Sequence, residues 1–122
     1  MKTGRKKTGG KYHANRKKKM YEKPGQRTIT KLGEDKRKSK KTLGGNIKVI
    51  LLKSKAINLQ EKGKTVKAEI KNVLETPSNR FFARQNILTK GTIVETDKGK
   101  ARITNRPTQE GVVNGILLPK TA

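Results

Sequence analysis

The sequence predicts a small all-β protein: a mainly antiparallel β-barrel of about six strands, preceded by a basic and mostly irregular N-terminal extension. Three observations predict it. Residues 1–41 hold 17 Lys and Arg against three acids, a net charge of +14. From residue 42 onward, apolar residues alternate in short runs, separated by turn signals at about 8–12-residue spacing. The length, 122 residues, suits one domain plus an extension.

The extension, residues 1–41, has too few apolar side chains to form a core. It holds only seven of them, set among four clusters of Lys and Arg. A segment with low hydrophobicity and high net charge cannot offset its chain entropy by burial. We therefore expect it to be disordered in the free protein and to order on a polyanion. A short helix over residues 13–22 fits the pattern, and residues 34–41 suit either a solvated helix or the approach to a strand.

Residues 42–122 are predicted to form the β-barrel domain, because their apolar residues follow a period of two. The clearest strand, residues 65–74, places Val66, Ala68, Ile70 and Leu74 on one face and charged residues on the other. The strands are expected at residues 46–53, 57–59, 65–74, 87–89, 92–96, 101–104 and 111–118.

A short helix or loop over residues 78–85 is predicted between two of these strands. Thr76 is the expected N-cap and Pro77 the first helical residue. Phe81 and Phe82 in this segment are expected to cover the end of the barrel, with stacking on bases as the alternative.

Several classes of site are absent from the sequence. The chain has no cysteine, which excludes disulfides, thiolate metal sites and thiol nucleophiles and fits a reducing compartment. Its one histidine, His13, has no nearby acid with which to share a metal ion. We expect no metal and no cofactor. The longest apolar run, residues 49–52, is far shorter than the ~20 residues that span a bilayer, and we expect no membrane partner.

Catalysis has little support in the sequence. Glu95 and Asp97 lie two residues apart at a predicted strand end, where two carboxylates could hold Mg²⁺ for a nuclease. Solubilising acids at a hairpin edge explain this pair better, because no second carboxylate cluster and no nucleophile–base pair accompany it. We predict that the protein is not an enzyme, has no catalytic residues and takes no small-molecule substrate.

The basic clusters indicate a nucleic-acid partner. A charge run is usually only a solvated face, but four clusters in 41 residues with three acids exceed what solvation needs. Phosphates neutralised by Lys and Arg release counterions, which supplies most sequence-independent affinity. The candidate RNA-binding residues of the extension are Arg5, Lys6, Lys7, Lys11, His13, Arg16, Lys17, Lys18, Lys19, Arg27, Lys31, Lys36, Arg37, Lys38, Lys40 and Lys41.

The barrel is expected to add a smaller set of contacts. The candidates there are Lys48, Arg80, Arg84, Lys90, Arg102 and Arg106. With no Trp and only four Tyr and Phe, recognition should depend on phosphates and RNA shape rather than on stacked bases. A general architectural protein that compacts DNA is the alternative. Such proteins usually need apolar wedges or dimer symmetry, and neither is evident in the sequence.

Motifs in a fixed order along most of the chain resemble one known family. They include TGG at residues 8–10, TKLGE at 30–34 and GGN at 44–46. The most specific is PSNRFFARQNILTKG at residues 77–91. On these motifs the chain resembles the eighth archaeal/eukaryotic-type (e-type) protein family of the small ribosomal subunit, in its short archaeal-like form.

The resemblance implies a structural constituent of the small ribosomal subunit in the cytoplasm. Such a protein binds small-subunit ribosomal RNA, lies beside neighbouring ribosomal proteins and is a monomer when free. The resemblance also implies that Gly44, Gly45 and Asn46, together with the segment from Asn79 to Arg84, lie close to RNA. This extension favours Lys where the family often has Arg, which weakens any argument for bidentate contacts.

Overall fold

The structure, a computed structural model, describes residues 4–61 and 63–119 and consists mainly of strands. Three strands form a sheet in the order β1-β3-β2: β1 (Lys31–Leu32), β2 (Lys36–Lys41) and β3 (Ile47–Ser54). Five strands form a closed barrel: β4 (Ala56–Glu61), β5 (Lys64–Glu75), β6 (Ile93–Thr96), β7 (Gly99–Ile103) and β8 (Asn114–Leu117). The predicted all-β barrel is confirmed, with five strands in the barrel itself.

Two short helices and one helical turn complete the described part of the chain. They are the 3-10 turn Met20–Glu22, α1 (Arg80–Arg84) and α2 (Pro107–Glu110). Among the described residues, no helix is long and apolar enough to cross a membrane.

The barrel closes through one parallel strand pair. Strands β4 and β8 run parallel, with Leu59 opposite Gly115, and every other neighbouring pair in the barrel is antiparallel. A Cβ atom at residue 115 would lie 2.9 Å from the carbonyl oxygen of Arg102 and 3.0 Å from Cδ1 of Ile57. Closure at this packing distance therefore requires glycine.

The core lies inside the barrel and beneath β3. Its fully buried members are Leu51, Ile57, Leu59, Leu88, Val94 and Ala101. Strand β5 does not keep the strict alternation expected of it, because its register against β6 shifts between Ile70 and Asn72 and again between Val73 and Glu75. A bulge exchanges the two faces of a strand. Val73 is consequently buried, and the prediction of an inward Leu74 is wrong, since this side chain is 41% exposed.

Strand pairing crosses the predicted boundary after residue 41. Strands β2 and β3 pair from Lys36 opposite Lys53 to Lys41 opposite Ile47, so this boundary falls in the turn of a hairpin. Of the two options for residues 34–41, the strand is observed. The order of the extension in the free protein stays a prediction.

Three local expectations differ from the structure. The possible helix over residues 13–22 is only the turn Met20–Glu22, since this stretch has almost no apolar residues to pack. The N-cap of α1 is Asn79 rather than Thr76, because Asn79 Oδ1 accepts the N–H of Phe81 at 3.0 Å. Of the strand expected at 87–89, only a bridge between Ile87 and Lys31 forms.

Candidate nucleic-acid interface

Thr30 fixes the middle of the extension to the rest of the folded chain. Its fully buried hydroxyl donates to the carbonyl oxygen of Leu51 at 2.8 Å and lies 2.9 Å from the hydroxyl of Thr108. Its carbonyl oxygen accepts the N–H of Leu88 at 2.9 Å. These three bonds join the extension to β3, to α2 and to the segment after α1. The residues just before Thr30 are therefore held beside α2.

A groove beside α2 brings together three predicted RNA-binding residues from distant parts of the sequence. Arg27, Lys90 and Arg106 line this cavity of about 430 Å³, which we call the α2 groove. All three side chains are exposed. The remaining lining residues are Thr28, Leu88, Thr89, Pro107, Thr108 and Gln109. The α2 groove is cationic at its rim and closed below by the buried Leu88 and Pro107.

Lysines face one another across the three-stranded sheet. Lys53 on β3 lies opposite Lys31 on β1 and opposite Lys36 on β2, which gives a row of three lysines. Further along the hairpin, Lys40 lies directly opposite Lys48. Like charges in directly opposite positions destabilise a sheet. The repulsion between these lysines therefore lowers the stability of the three-stranded sheet in the free protein.

Acids compensate little of this charge. Within residues 4–61 and 63–119, side-chain ion pairs are limited to Arg37 with Asp35 at 3.9 Å and Arg16 with Glu22 at 2.5 Å. The first of these pairs is half-exposed and lies at the limit of a salt bridge, so it contributes little. The remaining positive charge of these surfaces has no acidic side chain paired with it in the described ranges.

The tip of the β2–β3 hairpin explains the GGN motif. Thr42 donates to the carbonyl oxygen of Asn46 through its N–H at 2.7 Å and its hydroxyl at 2.9 Å. Between them, Gly44 and Gly45 have φ angles of 87° and 85°, the left-handed region that favours glycine. The turn leaves Leu43 fully exposed between the lysines of the two strands.

Helix α1 presents two arginines. Arg80 and Arg84 are four residues apart, which places them on one face of the helix, and both are exposed. The expectation that Phe81 covers the barrel end is wrong, since this side chain is 61% exposed. Ala83 of the same helix packs against the core instead, and Phe82 is half-buried. Because Asn79 is engaged in capping, the arginines are the free polar groups of this segment.

The extension before Arg27 keeps its cations in solvent. Arg5, Lys6, Lys7, Lys11, His13, Arg16, Lys17, Lys18 and Lys19 are all exposed. Local contacts give this segment some shape: Lys6 lies over the ring of Tyr12 at 5.8 Å and Lys19 over Tyr21 at 5.9 Å. The Lys19 backbone N–H and the Arg16 side chain bond the Glu22 carboxylate and lower its pKa.

Sequence comparison agrees with this arrangement. The profile of the family described as Ribosomal protein S8e matches residues 1–118. The chain belongs to the S8e family. The resemblance inferred from the motifs is thereby confirmed.

Archaeal members of the S8e family resemble the chain over most of its length, and each is named Small ribosomal subunit protein eS8. The protein of Nanoarchaeum equitans is 50% identical over 113 residues, which cover 91% of this chain and 89% of the relative. That of Haloarcula marismortui is 42% identical over 114 residues, 93% of both chains. That of Methanocella arvoryzae is 44% identical over 119 residues, 96% of this chain and 95% of the relative. These relatives are named as ribosomal proteins, not as enzymes.

Not every predicted residue of this S8e-family chain joins the basic surfaces. Arg102 lies on β7 between Ile93 of β6 and Ile116 of β8, so the register places no cation opposite it. The two acids interpreted from the sequence as solubilising residues of a hairpin edge have partners of their own, because Asp97 accepts the N–H of Glu69 at 3.3 Å and Glu95 lies opposite Lys100. In the described ranges, no group of three or more His, Asp and Glu side chains could hold a metal ion.

Sequence reasoning missed two residues of the candidate interface. Lys53 follows the apolar run of β3, and simple alternation places it on the same side as the buried Leu51. The register shift opposite Lys36 and Arg37 leaves Leu52 unpaired and turns Lys53 outward. Gln109 carries no charge, and only the three-dimensional fold brings it beside Arg27 and Lys90.

Proposed function

We propose that this protein is a structural constituent of the small ribosomal subunit, located in the cytoplasm, where it binds ribosomal RNA through phosphate and shape contacts and stabilises the RNA fold. Membership of the S8e family and the small-subunit names of its relatives support this role. In this proposal, neighbouring ribosomal proteins are further partners. The free protein is a monomer, and no small molecule serves as substrate.

The row of Lys31, Lys53 and Lys36 is the observation that carries the proposal. Three lysines at successive cross-strand positions repel one another in the free protein. An RNA backbone supplies phosphates along a continuous track, and each lysine that neutralises one of them releases a counterion. The same argument applies to Lys40 and Lys48 in the hairpin. On RNA binding, the repulsion between neighbouring lysines is thus offset by their attraction to the phosphates.

We assign different roles to the firmly held residues and to the exposed residues of the extension. The α2 groove, the hairpin and α1 are fixed by strand pairing, by the Thr30 bonds and by the Asn79 cap, so they recognise the shape of an RNA surface. The exposed residues before Arg27 follow phosphates without a fixed geometry of their own. Of the predicted site residues, those before Arg27 supply affinity, and those of the α2 groove, the three-stranded sheet and α1 supply orientation.

The salt dependence of RNA binding tests this proposal. We compare the full chain with the triple variant Lys31→Gln/Lys36→Gln/Lys53→Gln on a small-subunit ribosomal RNA fragment. The expected result is weaker binding, with a salt slope shallower by about 0.7–0.9 for each phosphate that is no longer neutralised. The matched control is Lys71→Gln/Lys98→Gln/Lys100→Gln, which removes the same charge from exposed positions of β5 to β7. Equal weakening in both variants would show that only total charge matters and would contradict the proposed surface.

One observation favours the alternative, an architectural protein that compacts DNA. Leu43, fully exposed at the hairpin tip among lysines, is the kind of apolar side chain that enters a groove. Competition between structured ribosomal RNA and duplex DNA of equal phosphate number separates the two functions. Preference for the RNA at physiological salt supports the ribosomal role, and preference for the duplex supports the alternative.

A further inference from the structure

The α2 groove has features that phosphate binding does not require. A phosphate contact needs only an exposed cation, and the row of Lys31, Lys53 and Lys36 offers that on an open sheet. The α2 groove is instead a concave space of about 430 Å³, within the range of ~300–1,000 Å³ typical of small-ligand pockets. Its floor is the buried Leu88 and Pro107, and its rim holds three cations. This combination suits a ligand with both a flat apolar part and a phosphate.

We propose that the α2 groove receives one unpaired nucleotide, turned out of the bound RNA. The inference rests on the proposed function, because the nucleotide belongs to the RNA that the protein binds. Single-stranded loops and bulges expose such bases, and arginine side chains stack on them as well as bind their phosphates. Arg27 and Arg106 line the groove and supply two such side chains, and Lys90 adds a phosphate contact as a point charge.

Gln109 is the residue that would read the base. A glutamine amide offers both a donor and an acceptor to the edge of a base. Two of the three threonine hydroxyls that line the groove are engaged, since Thr89 Oγ1 lies 3.0 Å from Thr92 Oγ1 and Thr108 bonds Thr30. The third belongs to the exposed Thr28, which offers a single hydroxyl where Gln109 offers a full amide. Within the described part of the chain, the Gln109 side chain makes no hydrogen bond, whereas its N–H bonds the Arg106 carbonyl at 3.1 Å. Its amide is therefore available to a ligand in the groove.

The position of Gln109 also allows the RNA chain to continue on both sides. Gln109 and Thr108 line a second cavity, of about 600 Å³, on the side of Lys48, Val49 and Ile50. The acid in that cavity, Glu110, keeps its negative charge, because Asn105 Nδ2 and the Arg106 N–H bond its carboxylate at 3.0 and 3.2 Å. A flanking phosphate must therefore lie on the Lys48 side of the cavity, away from this carboxylate. Gln109 lines both cavities. A nucleotide in the α2 groove would therefore have Lys90 beside it for one flanking phosphate, and Lys48 in the second cavity for the other.

Two RNA duplexes without loops, of equal nucleotide and phosphate number, test this inference with the full chain. One carries a single bulged 4-thiouridine in each strand, and the other is fully paired. We expect the bulged RNA to bind about 3- to 10-fold more tightly, the value of one or two added hydrogen bonds. Gln109→Leu, which keeps the charge, should remove most of this preference and leave the salt slope unchanged. Gln60→Leu, an exposed glutamine on β4, is the matched control and should keep it.

Photo-cross-linking and a second variant identify the pocket. The bulged 4-thiouridine should cross-link to peptides that contain residues 88–90 or 106–109. Arg106→Lys keeps the positive charge but loses the stacking plane, and it should also weaken the preference for the bulge. Equal binding of the two RNAs, or cross-links elsewhere, would overturn the nucleotide pocket and leave the proposed function intact. Absence of salt-dependent binding to both RNAs would instead overturn the proposed function.

Discussion

Thr30 and Thr108 are 78 residues apart in sequence, yet their hydroxyl oxygens lie 2.9 Å apart where the extension meets the barrel. Thr30 gives its one hydroxyl proton to the carbonyl oxygen of Leu51, so Thr108 must be the donor of the second bond. This chain of bonds fixes where the basic extension leaves the domain. The position of Arg27 in the α2 groove consequently depends on a buried threonine three residues away.

Replacing Thr30 with valine should destabilise the protein. The shape is kept, but the Leu51 carbonyl and the Thr108 hydroxyl lose their partner in a buried place, which costs about 1–3 kcal/mol. Urea unfolding measures the effect. Thr30→Ser keeps the hydroxyl and should be less destabilising. Thr65→Val, at an exposed position of β5, should change the free energy of unfolding by less than about 0.5 kcal/mol. Equal stability of Thr30→Val and wild type would show that the hydroxyl has no structural role.

A charge reversal at Lys48 should have opposite effects on stability and binding. Lys48→Glu places an acid opposite Lys40, so the free protein should gain about 0.2–1 kcal/mol of stability. RNA affinity should fall, because one phosphate contact becomes a repulsion. Urea unfolding and filter binding measure the two effects. Lys98→Glu, in the turn between β6 and β7, makes the same charge change as a control. A variant that loses stability while keeping its affinity would contradict both arguments.

Gly115→Ala should destabilise the barrel. The new methyl group would lie 2.9 Å from the Arg102 carbonyl oxygen, a backbone atom that moves only with its strand. Overpacking of this kind costs about 1–3 kcal/mol. Thermal unfolding measures the destabilisation. Gly25→Ala is the control, because no atom lies within 4 Å of the added carbon. Similar stability of both variants would mean that the β4–β8 pair tolerates a wider spacing.

The carboxyl of Glu110 should titrate below its ordinary pKa of 4.5, because the Asn105 side chain and then the Arg106 N–H bond the charged form. A folded-state pKa that is lowered stabilises the fold above the ordinary value. That contribution disappears as the pH falls through the lowered pKa. An NMR titration of the carboxyl carbon measures it. Asn105→Ala should raise the pKa of Glu110, whereas the remote Gln60→Ala should not change it. An unchanged pKa of Glu110 in Asn105→Ala would show that the hydrogen bond from the Asn105 side chain does not lower it.

The sequence predicts the class of this fold better than its details. Alternating apolar residues identify β3 and β5 because a strand with one buried face has a period of two. The bulges that bury Val73 and expose Lys53 depend on the neighbouring strand, which a local pattern does not contain. Strand β2 is ambiguous in the sequence because all six of its residues are exposed and polar, and pairing with β3 alone defines it.

The candidate interface is predictable in composition but not in geometry. Charge clusters identify the extension residues, since density of charge is a property of the sequence itself. The α2 groove depends on Arg27, Lys90 and Arg106, which come from three segments that are brought together by the Thr30 bonds and by the bond from the Gly91 N–H to the Ile103 carbonyl oxygen. An uncharged residue of the groove such as Gln109 cannot be recognised from the sequence, because only the fold places it beside the cations.

The parallel pairing of β4 with β8 sets an order for events during synthesis. Asn58 Nδ2 donates to Asn114 Oδ1 at 3.0 Å across this pair, and the two partners are 56 residues apart in the chain. Residues 1–41 are synthesised well before β8, so the basic extension exists while the edge of β4 that β8 will cover is still unpaired. Arg106 and Gln109, which shortly precede β8, are among the last lining residues of the α2 groove to be made, so the groove is completed only when the barrel is about to close.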